Sequence, residues 1–388
     1  MSATPLVIPL TIPTEASISV DWFNQCFAGL GLKTQVNSFT AKQIGTGQIG
    51  KCIRYSFVFE GERKGERKGE RKGERKGEGE GAAAQTPDVP VSVIGKFPAD
   101  DESSRVIGVA LQNFLKEVCF YQQLQNRLAI KTPKCYFAEI TEQGPEFFLL
   151  LEDLAPGEQG DQLLGCEPVI AKAALTELVG LHAPSWCDQS LRGLTWLRDE
   201  EQAQSSATMD MYRAQLDGFI ERFAPHLTED EQWIIKQVGA VENSPFTASF
   251  PEPFSLIHVD YRLDNLMIDR SGGGCKITAL DWQSITLGAP MNDVAYFIGA
   301  GLEPEVRRPV EEDLVKGYYQ DLLNAGVQDF GWEACWQNYR RGSFAGFAVT
   351  VIASMLVQRT ERGDEMFATM ARRHARHALD LNAQEFLI

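Results

Sequence analysis

The sequence has no apolar run as long as the roughly 20 residues that a helix needs to cross a bilayer. One nearly continuous apolar stretch, 344–357, is bounded by Arg341 and Arg359 and is interpreted as a buried core helix. The segment Met1–Pro13 contains three prolines and no basic residue, so it does not resemble a secretory signal. We therefore expect a cytoplasmic protein without a membrane span.

Basic residues are fewer than acidic ones. The chain has 37 Lys and Arg but 53 Asp and Glu, which gives a formal net charge of −16. Phosphate backbones require basic surface, so nucleic-acid binding is not expected. An acidic surface suits a cationic substrate, but acidity also serves solubility alone. The eight cysteines form no C-x-x-C pair, which argues against a zinc or redox site and predicts free thiols.

The chain does carry a pattern suited to phosphoryl transfer, in residues 257–265 and again in residues 280–283. Transfer from ATP needs a carboxylate that orients the attacking hydroxyl, together with oxygen ligands for Mg²⁺. Asp260 would supply that carboxylate. Asn265, five residues later, and Asp281 would supply the metal ligands.

The form His-x-Asp-x-Arg-x-x-Asn resembles the aminoglycoside phosphotransferase family, the small-molecule relatives of protein kinases. With Asp-Tyr-Arg-Leu-Asp-Asn and the later Asp-Trp-Gln, the chain is similar to the ecdysteroid-kinase-like branch. The resemblance spans roughly residues 37–300. It implies an α+β, two-lobed protein-kinase-like fold, in which a small antiparallel β-sheet N-lobe with one αC-type helix precedes a larger, mainly helical C-lobe.

The resemblance also implies ATP and Mg²⁺ as cofactors and a small-molecule hydroxyl as the phosphate acceptor. The acceptor stays open among aminoglycosides, choline-like alcohols, sugars, and steroid or lipid alcohols. Its specificity is expected in the insert 186–223 and in the C-terminal helices. Acidic residues such as Asp199, Glu200, Asp210 and Asp217 would bind an amine there or form a solvated helix face.

The role of Asp260 is limited by proton energetics. Carboxylates have pKa values of about 3.9 and alcohols lie near water, about 15.7, so removing the proton before attack would cost roughly 16 kcal/mol. Asp260 is therefore expected to orient the hydroxyl and accept its proton late, as a loose transition state allows.

Neighbouring residues have more than one interpretation. Arg262 would stabilise charge on the transferring phosphate, or form an ion pair with Asp264. His258 is expected to be structural and hydrogen-bonded. Asp293 is expected to cap a helix that begins at Val294.

A glycine-rich segment, 45–50, matches G-x-G-x-x-G and narrowly misses a P-loop. A P-loop or Rossmann fingerprint requires a helix directly afterwards, but residues 53–59 alternate as a strand does. The resemblance therefore implies a kinase-type loop between two strands, in which Gly45, Gly47 and Gly50 cover the phosphates.

Three further segments complete the implied nucleotide site. Lys96, on a predicted strand 91–97, would contact the α- and β-phosphates. Glu117, on a predicted helix 114–124, would pair with Lys96. The apolar strand 147–154 would form the hinge between lobes, where the backbone near Glu152 and Leu154 meets adenine.

We expect an N-terminal extension over 1–36, an N-lobe over 37–153 and a C-lobe over 154–388. Four Gly-Glu-Arg-Lys copies lie within an insert, 61–86, that has no apolar residue to pack in its repeats. We expect this insert to be a disordered hairpin tip; binding of an acidic partner or membrane is the alternative. Apolar spacing predicts C-lobe helices over 168–181, 229–241, 309–325, 332–357 and 365–381.

The function expected is ATP- and Mg²⁺-dependent transfer of the γ-phosphate to a small-molecule hydroxyl. Protein-kinase activity is less expected, because Asp281-Trp282-Gln283 departs from Asp-Phe-Gly. The alternative is a nucleotide-binding pseudokinase that regulates a partner. The sequence carries no signal for an oligomeric state.

Overall fold

The structure is a computed structural model that describes residues 10–33, 35–45, 49–59, 89–197, 201–242, 245–246 and 253–387. By its internal contacts the chain divides into two compact units. The sheet unit comprises residues 1–108 and 134–153, and the helical unit comprises residues 109–133 and 154–388. The GERK insert lies outside the described residues.

The strands of the described residues are β1 Val36–Ile44, β2 Gly50–Phe59, β3 Ser92–Pro98, β4 Cys135–Ile140, β5 Phe147–Glu152, β6 Glu158–Gln159, β7 Ser255–Ile257, β8 Leu266–Asp269, β9 Lys276–Ala279 and β10 Thr286–Gly288. The helices are α1 Val20–Gly29, α2 Glu102–Ala110, α3 Asn113–Cys119, α4 Pro168–His182, α5 Glu201–Phe223, α6 Glu229–Ala240, α7 Met291–Gly301, α8 Pro304–Arg307, α9 Glu311–Asn324, α10 Trp332–Gly342, α11 Ala345–Leu356 and α12 Glu361–Asp380.

The sheet unit is built on a five-stranded antiparallel sheet in the order β1-β2-β3-β5-β4. Alternation along β2 buries the predicted face, which consists of Ile53, Tyr55, Phe57 and Phe59. Helix α1 adds Trp22, Phe23 and Phe27 to the same core. This helix lies within the segment 1–36 that the sequence assigned to an extension.

The helical unit contains two small strand pairs beside its helices. The hairpin β8–β9 sets Leu266 opposite Ala279, and β7 pairs with β10. These short strands flank residues 257–265 and 280–283. The helices predicted over 168–181, 229–241 and 309–325 are confirmed, each within a few residues of its bounds.

Two helix predictions are wrong in detail. Residues 332–357 form α10 and α11 rather than one helix, with a break at Ser343 and Phe344. Gly342, before the break, lies so close to α7 that a Cβ there would approach the carbonyl oxygen of Met291 to 2.7 Å. Helix α12 begins at Glu361, where Thr360 accepts a hydrogen bond from the Gly363 amide at 3.0 Å.

The predicted α+β class, with an antiparallel sheet in one unit and mainly helices in the other, is confirmed. All eight cysteines are free thiols, as predicted. Within the described ranges, no helix combines the length and the apolar character that a bilayer crossing requires.

Candidate active site

The loop between β7 and β8 carries the catalytic pattern, and a carboxylate on α7 holds its backbone. Asp293 accepts hydrogen bonds from the amides of His258 at 2.6 Å and Val259 at 2.9 Å. Val259 has a φ of 70°, which is strained for a β-branched residue and persists only where its surroundings enforce it. The two bonds to Asp293 supply that constraint.

Asp293 is therefore structural, as predicted, but the predicted cap is wrong. Helix α7 begins at Met291 rather than Val294, so Asp293 lies in its first turn. Its carboxylate is buried, binds the loop backbone, and lies 3.3 Å from Nε2 of His182. His258 is also structural, since its buried ring lies with Nε2 2.8 Å from the carbonyl oxygen of Leu280.

Three side chains donate hydrogen bonds to the Asp260 carboxylate. Nε of Arg262 lies 3.0 and 3.2 Å from its two oxygens. The Tyr296 hydroxyl donates to Oδ1 at 2.7 Å, and Nδ2 of Asn265 donates to Oδ2 at 2.9 Å. The Asp260 side chain is 21% exposed, so an oriented carboxylate remains accessible to a small molecule.

Arg262 bridges two carboxylates. Besides Asp260 it binds Asp264, with Nη1 2.7 Å from Oδ2, so the ion pair that was one of its two interpretations is present. Burial acts to lower the pKa of Arg262, but the charges of Asp260 and Asp264 raise it above its usual value. Burial acts to raise the pKa of Asp264, but the positive charge of Arg262 outweighs it. The pKa of Asp264 therefore lies below its usual value.

Asn265 and Asp281, the predicted metal ligands, lie at the open end of the β8–β9 hairpin, Asn265 just before β8 and Asp281 two residues after β9. Nδ2 of Asn265 donates to the backbone and the carboxylate of Asp260, and no described residue donates to its amide oxygen. The Leu280 amide donates to the backbone oxygen of Asn265 at 2.8 Å. Asp281 comes next, with a φ of 62°.

An amide oxygen and a carboxylate fit Mg²⁺, a hard cation that takes oxygen ligands and keeps several waters. Among the residues that the structure describes, no group of three or more His, Cys, Asp or Glu side chains has metal-binding geometry. The fit therefore rests on one carboxylate and one amide.

Helix α3, which carries Glu117, packs on the residues directly after Asp281. Nδ2 of Asn113 donates to the carbonyl oxygen of Gln283 at 3.0 Å. The rings of Phe120 and Trp282 stack with centroids 3.9 Å apart and planes 6° apart. Glu117 is buried.

The predicted phosphate-binding residues of the sheet unit lie on neighbouring strands. Gly45 follows β1 with a φ of 72°, a conformation that favours glycine. Gly50 opens β2, where a Cβ would lie 2.9 Å from Cε of the buried Lys96. Gly47 lies outside the described residues. Lys96 and Glu117 belong to different units, and their ion pair stays a prediction.

The hinge residues are tied to local structure. Glu152 ends β5, and its carboxylate accepts a hydrogen bond from the Lys134 amide at 3.1 Å. The carbonyl oxygen of Leu154 accepts one from Gly157 at 2.8 Å. Contact of either residue with adenine stays a prediction.

Asp210 and Asp217 are exposed on α5. That placement agrees with the solvated-face interpretation, whereas Asp199 and Glu200 lie outside the described residues.

Tyr296 is the residue of this site that sequence reasoning missed. It follows Asp293 by three positions on α7, and residues three apart lie on the same side of a helix. A signal was therefore present, because a structural Asp293 predicts that Tyr296 also faces the catalytic loop.

The model of the ecdysteroid kinase-like family matches residues 79–328, more than half of the chain. No curated protein matches the chain.

Solved structures with similarity to the chain include a choline kinase from Cryptosporidium parvum, 12% identical, which covers 90% of either chain with a TM-score of 0.49. An ethanolamine kinase from Plasmodium vivax is 12% identical and covers 91% of this chain and 87% of its own, with a TM-score of 0.48. The GDP complex of an aminoglycoside 2'-phosphotransferase-IIIa is 11% identical and covers 92% and 99%, with a TM-score of 0.48.

Proposed function

The chain belongs to the ecdysteroid kinase-like family, and from this premise we propose that it transfers the γ-phosphate of ATP to a hydroxyl of a small molecule. The observation that carries the proposal is the Asp260 carboxylate, which three donors orient while it stays partly exposed. An oriented carboxylate of this kind suits an acceptor hydroxyl better than a purely structural role.

The hydrogen-bonding capacity of Asp260 leaves room for the acceptor. A carboxylate offers about four lone-pair positions, and Arg262, Asn265 and Tyr296 are its three donors in the described part of the chain. A substrate hydroxyl would take the position on Oδ2 that Nε of Arg262 reaches only by its longer contact, at 3.2 Å. Because an alcohol is a far weaker acid than a carboxylic acid, Asp260 would receive the proton late, as the bond to phosphorus forms.

Asn265 and Asp281 would hold Mg²⁺, which when bound offsets the charge of the phosphate oxygens. The amide oxygen of Asn265, to which none of the described residues donates, supports this assignment. Lys96 would contact the α- and β-phosphates, Glu117 would hold Lys96, and Gly45, Gly47 and Gly50 would cover the phosphates. Adenine would meet the backbone at Glu152 and Leu154.

Arg262 would act on Asp260 rather than on the phosphate. Its Nε binds Asp260 and its Nη1 binds Asp264, so two of its three nitrogens already serve the two carboxylates. We therefore assign Arg262 to holding the catalytic carboxylate in position.

The test is release of ADP or GDP from the Mg²⁺ nucleotide, with a panel of neutral and cationic alcohols as acceptors. Replacement of a positioned acid–base group typically costs about 10²–10⁴-fold in rate, so Asp260→Asn should lose at least about 100-fold. Asp269→Asn is the matched control, because Asp269 ends β8 and binds only the turn residue Ser271 among described residues.

Acceptor-dependent release that is lost in Asp260→Asn and kept in Asp269→Asn would support the phosphotransferase. Release that does not change in Asp260→Asn would overturn the assignment. Nucleotide binding without release on any acceptor would favour the pseudokinase.

A further inference from the structure

Tyr296 donates the shortest of the hydrogen bonds that reach the Asp260 carboxylate, at 2.7 Å to Oδ1. The tyrosine side chain is 1% exposed, so water does not compete for its hydroxyl. Burial, and then the charge of Asp260, raise the pKa of Tyr296 well above its usual value, so the hydroxyl remains a donor. A hydrogen bond to a charged group is stronger and more directional than one between neutral groups.

One face of the Tyr296 ring is covered by His374 of α12. The two rings stack with centroids 5.2 Å apart and planes 23° apart. His374 itself fits against two glycines, since a Cβ on Gly346 would come within 2.2 Å of its ring and one on Gly299 within 2.9 Å. The stacked face of the Tyr296 ring is therefore held by a tightly packed histidine.

Helix α7 thus contacts the catalytic loop at two positions. Asp293 holds the amides of His258 and Val259, and Tyr296, three residues later, holds the Asp260 side chain. The backbone bonds determine where the loop lies. The hydrogen bond from Tyr296 instead limits the rotation of the Asp260 carboxylate.

We propose that Tyr296 is a positioning residue that fixes the orientation of the Asp260 carboxylate for phosphoryl transfer, with His374 as its support. This proposal rests on the proposed function for its catalytic consequence. Without the tyrosine hydroxyl, Oδ1 keeps only the longer contact from Arg262, and the carboxylate gains rotational freedom. Misplacement of a reacting group by about 1 Å can lower a rate roughly 100-fold.

The first arm of the test is independent of catalysis. Tyr296→Phe removes one buried hydroxyl, and Tyr212→Phe removes another whose partner is the backbone oxygen of Ile235 at 2.9 Å. Both are measured by urea unfolding, with and without Asp260→Ala. A hydrogen bond to a charged group contributes about 1.5–3 kcal/mol, so Tyr296→Phe should raise the unfolding constant at least about tenfold, but less than about threefold when Asp260 is alanine.

Tyr212→Phe should have the same effect in both backgrounds, because distant sites add independently. Equal effects of Tyr296→Phe in both backgrounds would overturn the proposed contact, whether or not the protein proves to be a kinase.

The second arm measures kcat and KM on an acceptor found in the panel. Tyr296→Phe should lower kcat about 10- to 100-fold with KM for ATP unchanged, because an orienting bond acts on the reacting groups. Asp269→Asn, the control at the end of β8, should keep wild-type kcat. Suppose that Tyr296→Phe leaves kcat unchanged, while its effect on unfolding depends on Asp260. The contact between the two side chains would then stand, and the catalytic role of Tyr296 would be refuted. If the wild-type protein phosphorylates no acceptor, the proposed function is refuted. The unfolding measurements would then still test the contact between Tyr296 and Asp260.

Discussion

Individual residues of the candidate site hold the backbone as well as one another. Val259 keeps a φ of 70° while Asp293 accepts its amide, and Asp281 adopts a similar left-handed conformation one residue after Leu280. Strained positions of this kind cluster where function demands a particular geometry. We interpret both as consequences of presenting Asp260 and Asp281 from the two segments that flank the β8–β9 hairpin.

The sequence predicted the identities at this scale but not their contacts. A pattern of Asp, Asn and Asp at characteristic spacing indicates which side chains carry chemistry, because few residue types can orient a hydroxyl or ligate Mg²⁺. The hydrogen-bond donors to Asp260 were harder to predict, because Tyr296 lies 36 residues away along the sequence. Such tertiary contacts depend on how α7 packs, which local spacing does not determine.

Asp281→Ala should abolish the part of ATP-induced thermal stabilisation that depends on Mg²⁺. A ligand that binds only the folded protein stabilises it, and the only carboxylate of the proposed metal pair would be gone. The measurement is a melting curve with ATP, with and without Mg²⁺, and Asp269→Ala serves as control. An undiminished Mg²⁺-dependent shift in Asp281→Ala would refute the metal assignment.

His374 should make the folded state sensitive to acid. Burial lowers the pKa of His374 to about 3, and the charges of His377, Arg373 and Arg307 act in the same direction. An unfolded histidine titrates near 6.5, so the unfolded chain binds this proton first. The resulting stability is present above about pH 6.5 and is lost as the pH falls toward 3, by up to about 1.4 kcal/mol per pH unit.

Urea unfolding between pH 7 and pH 4 measures this loss. His374→Leu should reduce the slope of stability against pH, whereas His226→Leu, at an exposed histidine, should retain it. Equal slopes in the two variants would contradict the assignment of the acid sensitivity to His374.

At the scale of helices and strands, the alternation typical of strands and the apolar spacing typical of helices predicted most of the observed elements. Alternation in 53–59 gave a strand rather than the helix of a P-loop, and apolar spacing gave α4, α6 and α9. The break between α10 and α11 was missed because residues 344–357 are almost continuously apolar. Its position coincides with the close approach of Gly342 to Met291, which only tertiary packing creates.

Alanine substitution at two glycines on neighbouring helices should change the free energy of unfolding in opposite directions. A Cβ at Gly342 would approach the Met291 carbonyl oxygen to 2.7 Å, whereas one at Gly317 in α9 meets nothing within 4 Å. Overpacking costs about 1–3 kcal/mol, and Gly→Ala in an open helix position stabilises by about 0.5–1 kcal/mol. Urea unfolding should therefore rank Gly317→Ala above the wild type and Gly342→Ala below it, and the reverse order would contradict the packing described for α7 and α10.

At the scale of the whole molecule, residues 62–80 should be dispensable for catalysis. β2 and β3 already pair from Gly50 with Pro98 to Ser56 with Ser92, so their register does not depend on the GERK insert. The closure cost of a connection falls by about 0.6 kcal/mol each time its length is halved, so the deletion should leave stability unchanged or slightly higher. Lost phosphotransfer on deletion would refute this. A variant of full length with serine at the insert's lysines and arginines would then separate charge from length.

Composition excluded whole classes of function but did not select one. A net charge of −16 argues against nucleic-acid partners, while amine-bearing and neutral alcohols remain compatible with it. Motif spacing indicated the reaction because phosphoryl transfer has strict chemical requirements. The acceptor depends on surfaces such as α5, where exposed acids carry little information.

Transfer of radiolabelled γ-phosphate tests the central claim most directly, because it follows the group itself rather than the release of ADP. Wild-type protein with Mg-ATP and a mixture of alcohols should place label in an organic phosphate, and Asp260→Asn should do so at least about 100-fold more slowly. Label that stays in ATP or appears only as inorganic phosphate, while Mg-ATP still raises the melting temperature, would contradict the account and leave a nucleotide-binding pseudokinase in its place.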